Sequence, residues 1–384
     1  MKTIPLVFAN CLLAAGLHGA AYAQATPAAT GTPTIPSLNV APLAGQLNYS
    51  LSASQSFLVG YNGGDAFTGS ANVSGNAGFV SASQSHPLSF LYSGGYLFGE
   101  STGQPNSLFQ DFGISQELIT RHYVFLIGDQ VSYLPNSPVF GLSGVPGLGD
   151  IGTQPIGTGS LPVESILTNY GKQVSNTAHG SATAKLSAET SLSAFGDYTL
   201  LRFPSNSGIS TDEVDGGASL NHRLDARNTI GVGYNYSNFS YGSGQNISIT
   251  SQAVTLQYQH VFSRQLLLAA SVGPQRTSSS EPDVIPTGTN VAADLSLFYS
   301  AKSITYLLSF NRGTTSGAGV LEGTLSDNVN FTASRQFGRD WSGGFSANYG
   351  DASSLETVGA SSFTAKSFYA GLQATRKLGR NFSA

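Results

Sequence analysis

Charge is scarce in this 384-residue chain: Asp, Glu, Lys and Arg make up 10% of it, against about 25% in ordinary soluble domains. A soluble surface of this size would be poorly solvated with so few charges, whereas a wall against lipid needs few. The formal charge is −4, so there is no basic field to attract nucleic acid, and that class of partner is excluded. Cysteine occurs once, as Cys11 in an apolar N-terminal segment. It follows Phe8-Ala9-Asn10 and the apolar run continues past it, which makes a poor lipidation site. A chain processed after that segment has no thiol, and this excludes a catalytic cysteine, a zinc–thiolate centre or an iron–sulfur cluster. Beyond that segment no run of about 18 apolar residues exists, and no transmembrane helix is expected. No Gly-rich phosphate loop, HExxH or GxSxG motif stands in a suitable context.

The apolar N-terminus reads as an export signal. Lys2 is followed by a mostly apolar or small stretch from Ile4 to Ala20, and Ala21-Tyr22-Ala23 offers a cleavage site. Residues 1–23 are therefore expected to be a signal peptide. Residues 24–45 (TPAAT, GTPTIP, APL) lack periodicity and read as an extended linker. Residues 46–384 form the remaining unit.

What that unit has in abundance is alternation. Asn328 to Tyr349 is the clearest case: Val329, Phe331 and Ala333 share one parity before the turn Gly338-Arg339-Asp340, and Trp341, Phe345, Ala347 and Tyr349 share one after it. Successive strand residues face opposite sides of a sheet, so this is a hairpin with one apolar and one small polar face. The pattern recurs from Leu47 onward. Tight turns at Leu224–Arg227, Ser263–Gln265, Ala301–Ser303, Gly338–Asp340 and Gly379–Asn381 alternate with longer polar connections at Gln275–Thr289, Arg312–Val320 and Gly350–Ser361. Within the fifth strand Asp129 falls on the apolar parity, which suggests a bulge or a rim beyond the lipid. A Pro- and Gly-rich stretch at 134–175 forbids a ladder and is expected to be an external or pore-inserted loop.

The expected fold is all-β: an antiparallel up-and-down transmembrane β-barrel with about sixteen strands present. A soluble sandwich of that many strands would have to bury two very large sheets, whereas closure removes the edges and satisfies the backbone in lipid. The aromatics Tyr198, Tyr236, Phe262, Tyr299, Phe337, Trp341 and Tyr349 end the apolar faces and are expected to form interfacial girdles. On the other parity Asp111, Glu117, Asp197 and Asp294, with Lys185 opposing them, are the candidates for lumenal selectivity, a mild cation bias. His122, His222 and His260 sit beside tight turns and His179 at a strand start. They read as polar end-caps, and no metal or other cofactor is implied.

With signal, alternating strands, tight Arg-containing turns and aromatic strand ends on the page, residues 47–384 resemble the porin-like outer-membrane β-barrels of Gram-negative bacteria. The resemblance implies outer-membrane lipid around the wall, insertion by the barrel-assembly machinery and passive movement of small solutes. Two alternatives stay open: a non-conducting structural or export-accessory barrel, and an outer-membrane hydrolase, which would need His, acid and Ser converging at one rim. Such barrels usually finish on a strand with a terminal aromatic. Here Leu378-Gly379-Arg380-Asn381-Phe382-Ser383 echoes Phe337-Gly338-Arg339-Asp340-Trp341-Ser342, after which a full strand follows in the earlier copy. The expectation drawn from that echo is a longer complete chain of roughly 18 strands.

Overall fold

The computed structural model describes residues 10–15, 45, 47–59, 67–83, 85–99, 107–134, 173–204, 208–242, 247–317, 321–338, 341–356 and 363–376. Among them lie seventeen strands. β1 is Asn10–Ala15, inside the expected signal segment. Sixteen long strands then follow in chain order: β2 (Leu47–Val59), β3 (Phe67–Val80), β4 (Leu88–Gly99), β5 (Ser107–Ile119), β6 (Tyr123–Leu134), β7 (Gln173–Lys185), β8 (Thr190–Arg202), β9 (Thr211–Arg223), β10 (Asn228–Tyr241), β11 (Ser248–Val261), β12 (Leu266–Ser279), β13 (Gly288–Ala301), β14 (Ile304–Thr315), β15 (Thr324–Phe337), β16 (Trp341–Ser354) and β17 (Thr364–Arg376). Each strand from β2 to β17 pairs antiparallel with the next. β1 pairs antiparallel with β2 and lies near β17 at the other end of the sheet. This is an up-and-down antiparallel β-barrel. No helix among the described residues is long and apolar enough to cross a membrane, and the crossing is made by strands.

The two faces of the wall differ as the alternation dictates. Large apolar side chains on one parity stand exposed, Ile127 at 71% and Leu256 at 62% among them, with Val232, Val254, Val272 and Val291 on neighbouring strands. Water would penalise such a belt by roughly 25 cal/mol for every Å² of it, whereas hydrocarbon does not. The opposite parity carries small hydroxyls and amides joined across strands: Thr177 to Thr199 at 3.0 Å, Thr183 to Ser193 at 3.1 Å and Gln275 Nε2 donating to Ser251 Oγ at 2.9 Å. The apolar face is the outward, lipid-facing one, and the polar face lines the lumen.

Tight turns gather at one end. In one of them the Asp225 carboxylate accepts hydrogen bonds from Asn228 Nδ2 at 2.7 Å and from the backbone N–H groups of Arg227 and Asn228 at 2.6 and 2.8 Å, which locks a four-residue reversal. Those bonds, Asn228's first, hold the Asp225 carboxyl below the usual carboxylate range. One ladder has a gap: β11 and β12 pair on both sides of Val254-Thr255 and Gly273-Pro274 but not there. Pro274 has no N–H to give. Gly273 tolerates the local approach because any Cβ there would strike the Val254 carbonyl.

Three expectations need correction. The strand β6 has no bulge at Asp129: its registers with β5 and β7 run unbroken through Gly128, Asp129 and Gln130. Asp129 instead faces outward in regular geometry and accepts a hydrogen bond from Asn176 Nδ2 at 2.8 Å. The 134–175 loop is narrower than expected at both ends, since Leu134 closes β6 and Gln173–Ser175 opens β7; residues 135–172 lie outside the described residues. Likewise β12, β14 and β16 run to Ser279, Thr315 and Ser354, well into stretches expected to be loops. The ladder continues past the apolar band, where lipid no longer imposes a hydrophobic period. Most of the signal and linker segments (residues 1–9, 16–44 and 46) and the C-terminal residues 377–384 also lie outside the described residues.

A carboxylate on the lipid-facing side is a cost to the fold. Asp129→Asn keeps an acceptor for Asn176 and removes the charge. Urea titration of the barrel in lipid vesicles is expected to show it more stable by about 1 kcal/mol; equal or lower stability would mean that Asp129 does not meet hydrocarbon.

Candidate functional site

The lumen is the candidate site, and its chemistry follows from which charged residues the strand parity turns inward. Asp111 and Glu117 on β5, Asp197 on β8 and Asp294 on β13 all face it. Asp111 accepts two bonds from Gln130 Nε2, at 3.0 and 3.2 Å. Asp294 accepts from Ser271 Oγ at 2.8 Å and from Asn311 Nδ2. It points inward and is exposed to the bore rather than packed. Lys185 does not oppose these acids: it is the last residue of β7 and shares the tight-turn end with Glu117.

Three inward residues were not singled out by sequence. Glu213 and Asp215 lie on β9, and His179 sits well inside β7 rather than at a strand start. The register sets His179 opposite Asp197 and Asp197 opposite Asp215. His179 Nδ1 is hydrogen-bonded to an Asp197 carboxylate oxygen. Asp215 stands two residues from Glu213 on the same face of its own strand and opposite Ser237 of β10. Six carboxylates therefore face the lumen. Among the described strand residues the Lys and Arg that face it are Lys185 and Arg223, both at the tight-turn end. Asp111, Asp197, Asp215 and Asp294 all lie seven or eight residues from the tight-turn end of their strands, a common height in the wall.

The outward face has its own levels. Phe337 and Trp341 begin and end their strands at the tight turn, Phe262 lies beside another, and Tyr299 is two residues from a third. Tyr198, Tyr236 and Tyr349 each stand eight residues from the tight-turn end. The expected girdle residues thus form two sets separated along the strands, with rings stacked in the lower set from Tyr299 to Tyr306 at 5.9 Å and on to Phe331 at 6.3 Å. Beyond the upper set, outward ion pairs bridge neighbouring strands: Arg202 with Asp212, Arg312 with Asp327 at 2.6 Å and Lys366 with Asp351 at 3.2 Å.

At the long-loop end the lumenal parity changes character. Phe239 and Tyr241 of β10 and Ile249 of β11 point inward, and they are buried with Ile247 and Ile285, Phe239 at 1% and Ile249 at 0% exposure. Ile209 and Leu355 pack against them from two further connections, and Val284 from the connection that carries Ile285. Tyr241 donates its hydroxyl to the Ser316 carbonyl at 3.1 Å. Gly323 has φ of 80°, and a Cβ there would run into Ile249 Cδ1. Five connections thus fold together over part of this mouth. The alternating pattern carried the signal, because Phe239 and Tyr241 switch parity relative to Ile230, Val232, Tyr234 and Tyr236.

The histidines beside turns do structural work. His222 Nδ1 bonds Thr190 Oγ1 at 2.9 Å, and His260 Nδ1 bonds Asn228 Oδ1 at 2.7 Å. His179 is the one histidine seen on an acid, and its Nε2 has no hydrogen-bond partner, so no hydroxyl is poised on it. Among the described residues no group of three or more His, Cys, Asp or Glu is arranged to hold a metal ion.

No known protein family matches the sequence, and no curated protein matches it either. Solved structures do. The chain is similar to a bacterial polysaccharide outer membrane secretin at 9% identity and a TM-score of 0.40, over 87% of this chain and 99% of that one. It is similar to the ferric enterobactin receptor PfeA of Pseudomonas aeruginosa at 12% and 0.42, over 89% and 69%, and to the FrpB iron transporter of Neisseria meningitidis at 9% and 0.41, over 81% and 58%. At such identities neither substrate nor transport cycle carries over, and what this barrel does follows from its own lumen.

Two outcomes are expected at the long-loop mouth. Phe239→Ala should cost about 3–5 kcal/mol in the stability of the packed connections, read as faster proteolytic cutting there while the strands stay protected. Cutting at the native rate would place Phe239 outside any shared core. Burial, and secondarily the charge of Glu322, raises the Glu356 carboxyl above its usual range. A raised acid favours the packed form below the ordinary glutamate value, and that contribution is lost as pH rises through the raised value. Proteolysis of these connections is therefore expected to accelerate from acid to neutral pH in the native chain and to do so less in Glu356→Gln; identical pH profiles would remove Glu356 from the packing.

Proposed function

We propose that this chain is a passive, porin-like diffusion channel of the bacterial outer membrane, exported behind its N-terminal signal, with no catalytic step. The observation that carries the reading is the two-faced wall: exposed Ile, Leu, Val and aromatic side chains outside, and hydroxyls, amides and wetted carboxylates inside. Only a structure with hydrocarbon on one side and water on the other leaves both faces in their preferred solvent. A barrel of sixteen strands is wide enough for an aqueous passage. The tight turns would face the periplasm and the long connections the exterior. Outer-membrane lipid, the barrel-assembly machinery and small solutes are the partners this reading requires.

A second reading, a non-conducting structural or export-accessory barrel, draws on the apolar cluster that covers part of one mouth. The hydrolase reading would need a hydroxyl on the imidazole that sits on Asp197, and His179 Nε2 has no hydrogen-bond partner.

Conductance in a planar bilayer separates the first two. The channel reading expects steady single-channel currents from the native chain, unchanged or enlarged when Tyr241→Ala loosens the mouth. Silent membranes with both chains, although each is inserted and folded, would leave the structural reading standing.

A further inference from the structure

We infer that the lumen passes cations in preference to anions, and that the row His179–Asp197–Asp215 is a station in its wall where a small cation, K⁺ or a protonated amine, is held. The inference rests on the open-channel reading and names the solute class of that channel.

The first support is placement. Asp197 and Asp215 are direct cross-strand partners, so their Cβ atoms are about 5 Å apart, and like charges so placed oppose each other. Glu213 adds a third carboxylate beside them. No lysine or arginine among the described strand residues faces the lumen at this height. Asp111 and Asp294 extend the negative belt to other parts of the circumference at the same distance from the tight turns. Lysine and arginine are not missing from these strands; they have been turned outward, as Arg202, Arg312 and Lys366 show. A cation entering the lumen meets this concentration of acid groups.

The second support is the one basic group present. The His179 side chain is 10% exposed, sits on Asp197 through Nδ1, and leaves Nε2 without a hydrogen-bond partner. A carboxylate on Nδ1 fixes that nitrogen as the donor and leaves a free lone pair on Nε2. The orphaned Nε2 is a further acceptor next to the acids. Around it, β6 turns no titratable side chain to the lumen, its Asp129 lying on the opposite face; β8 presents Asp197, and β9 beyond it presents Glu213 and Asp215.

The test is the reversal potential of single channels under a tenfold KCl gradient. The native chain is expected to favour K⁺ over Cl⁻ several-fold at pH 8, and Asp197→Asn with Asp215→Asn is expected to bring that ratio toward one while the strand signal in circular dichroism and the insertion are kept. Asp215→Asn alone should give an intermediate ratio, which serves if the double variant inserts badly. His179→Leu, which removes the acceptor and leaves both aspartates, is expected to lower the preference less than Asp215→Asn does. A channel with no preference, with chloride preference, or with a ratio indifferent to both aspartates overturns the inference and leaves the pore intact. A His179→Leu channel indistinguishable from the native one overturns the part played by His179. Absence of any current overturns the channel reading itself, and the inference falls with it.

Discussion

Every backbone N–H and C=O in a lipid-embedded wall has to find its partner on a neighbouring strand, because hydrocarbon offers none. This single constraint explains the order β2 to β17 without a crossover and the antiparallel sense throughout. It also explains why the one gap in the described ladders is so local. Pro274 removes a donor, and Gly273 lets the chains come close enough for pairing to resume within two residues on either side. A wall held together by backbone alone leaves its side chains free to serve two solvents, and the alternating parity assigns one to each.

The same constraint decides how much could be read from sequence. Alternation over lipid is imposed on every strand, so the hairpin around Gly338, the strand parity and the inward placement of Asp111, Glu117, Asp197 and Asp294 were legible. At Asp129 the parity points to a bulge or a rim beyond the lipid, and the unbroken register removes only the bulge; Asn176 on the next strand gives the carboxylate a polar neighbour that no local pattern announces. Strand ends beyond the hydrocarbon were equally hidden. Gln173 to Ser175 and Ser353-Ser354 pair as strands with polar residues on both faces, and nothing periodic distinguishes them from loop.

The lumenal group was legible only in part. Asp197 could be placed by parity, but its meeting with His179 and Asp215 is a matter of register between three strands, and register across loops is not written in local spacing. A histidine flanked by Ala178 and Gly180 carries no mark of its partner. The apolar mouth, by contrast, is written in the parity switch at Phe239, where the aromatics move from the lipid side to the lumen.

The bridged pairs above the upper tyrosines have a further consequence. Arg202 with Asp212, Arg312 with Asp327 and Lys366 with Asp351 cancel sign for sign, so the rim there is electrically quiet towards its surroundings. The unbalanced charge of the described wall belongs mostly to its bore. A protein of almost no net charge for its length thereby directs its field along its own axis, where an ion would feel it, and shows its neighbours in the membrane little more than grease and rings.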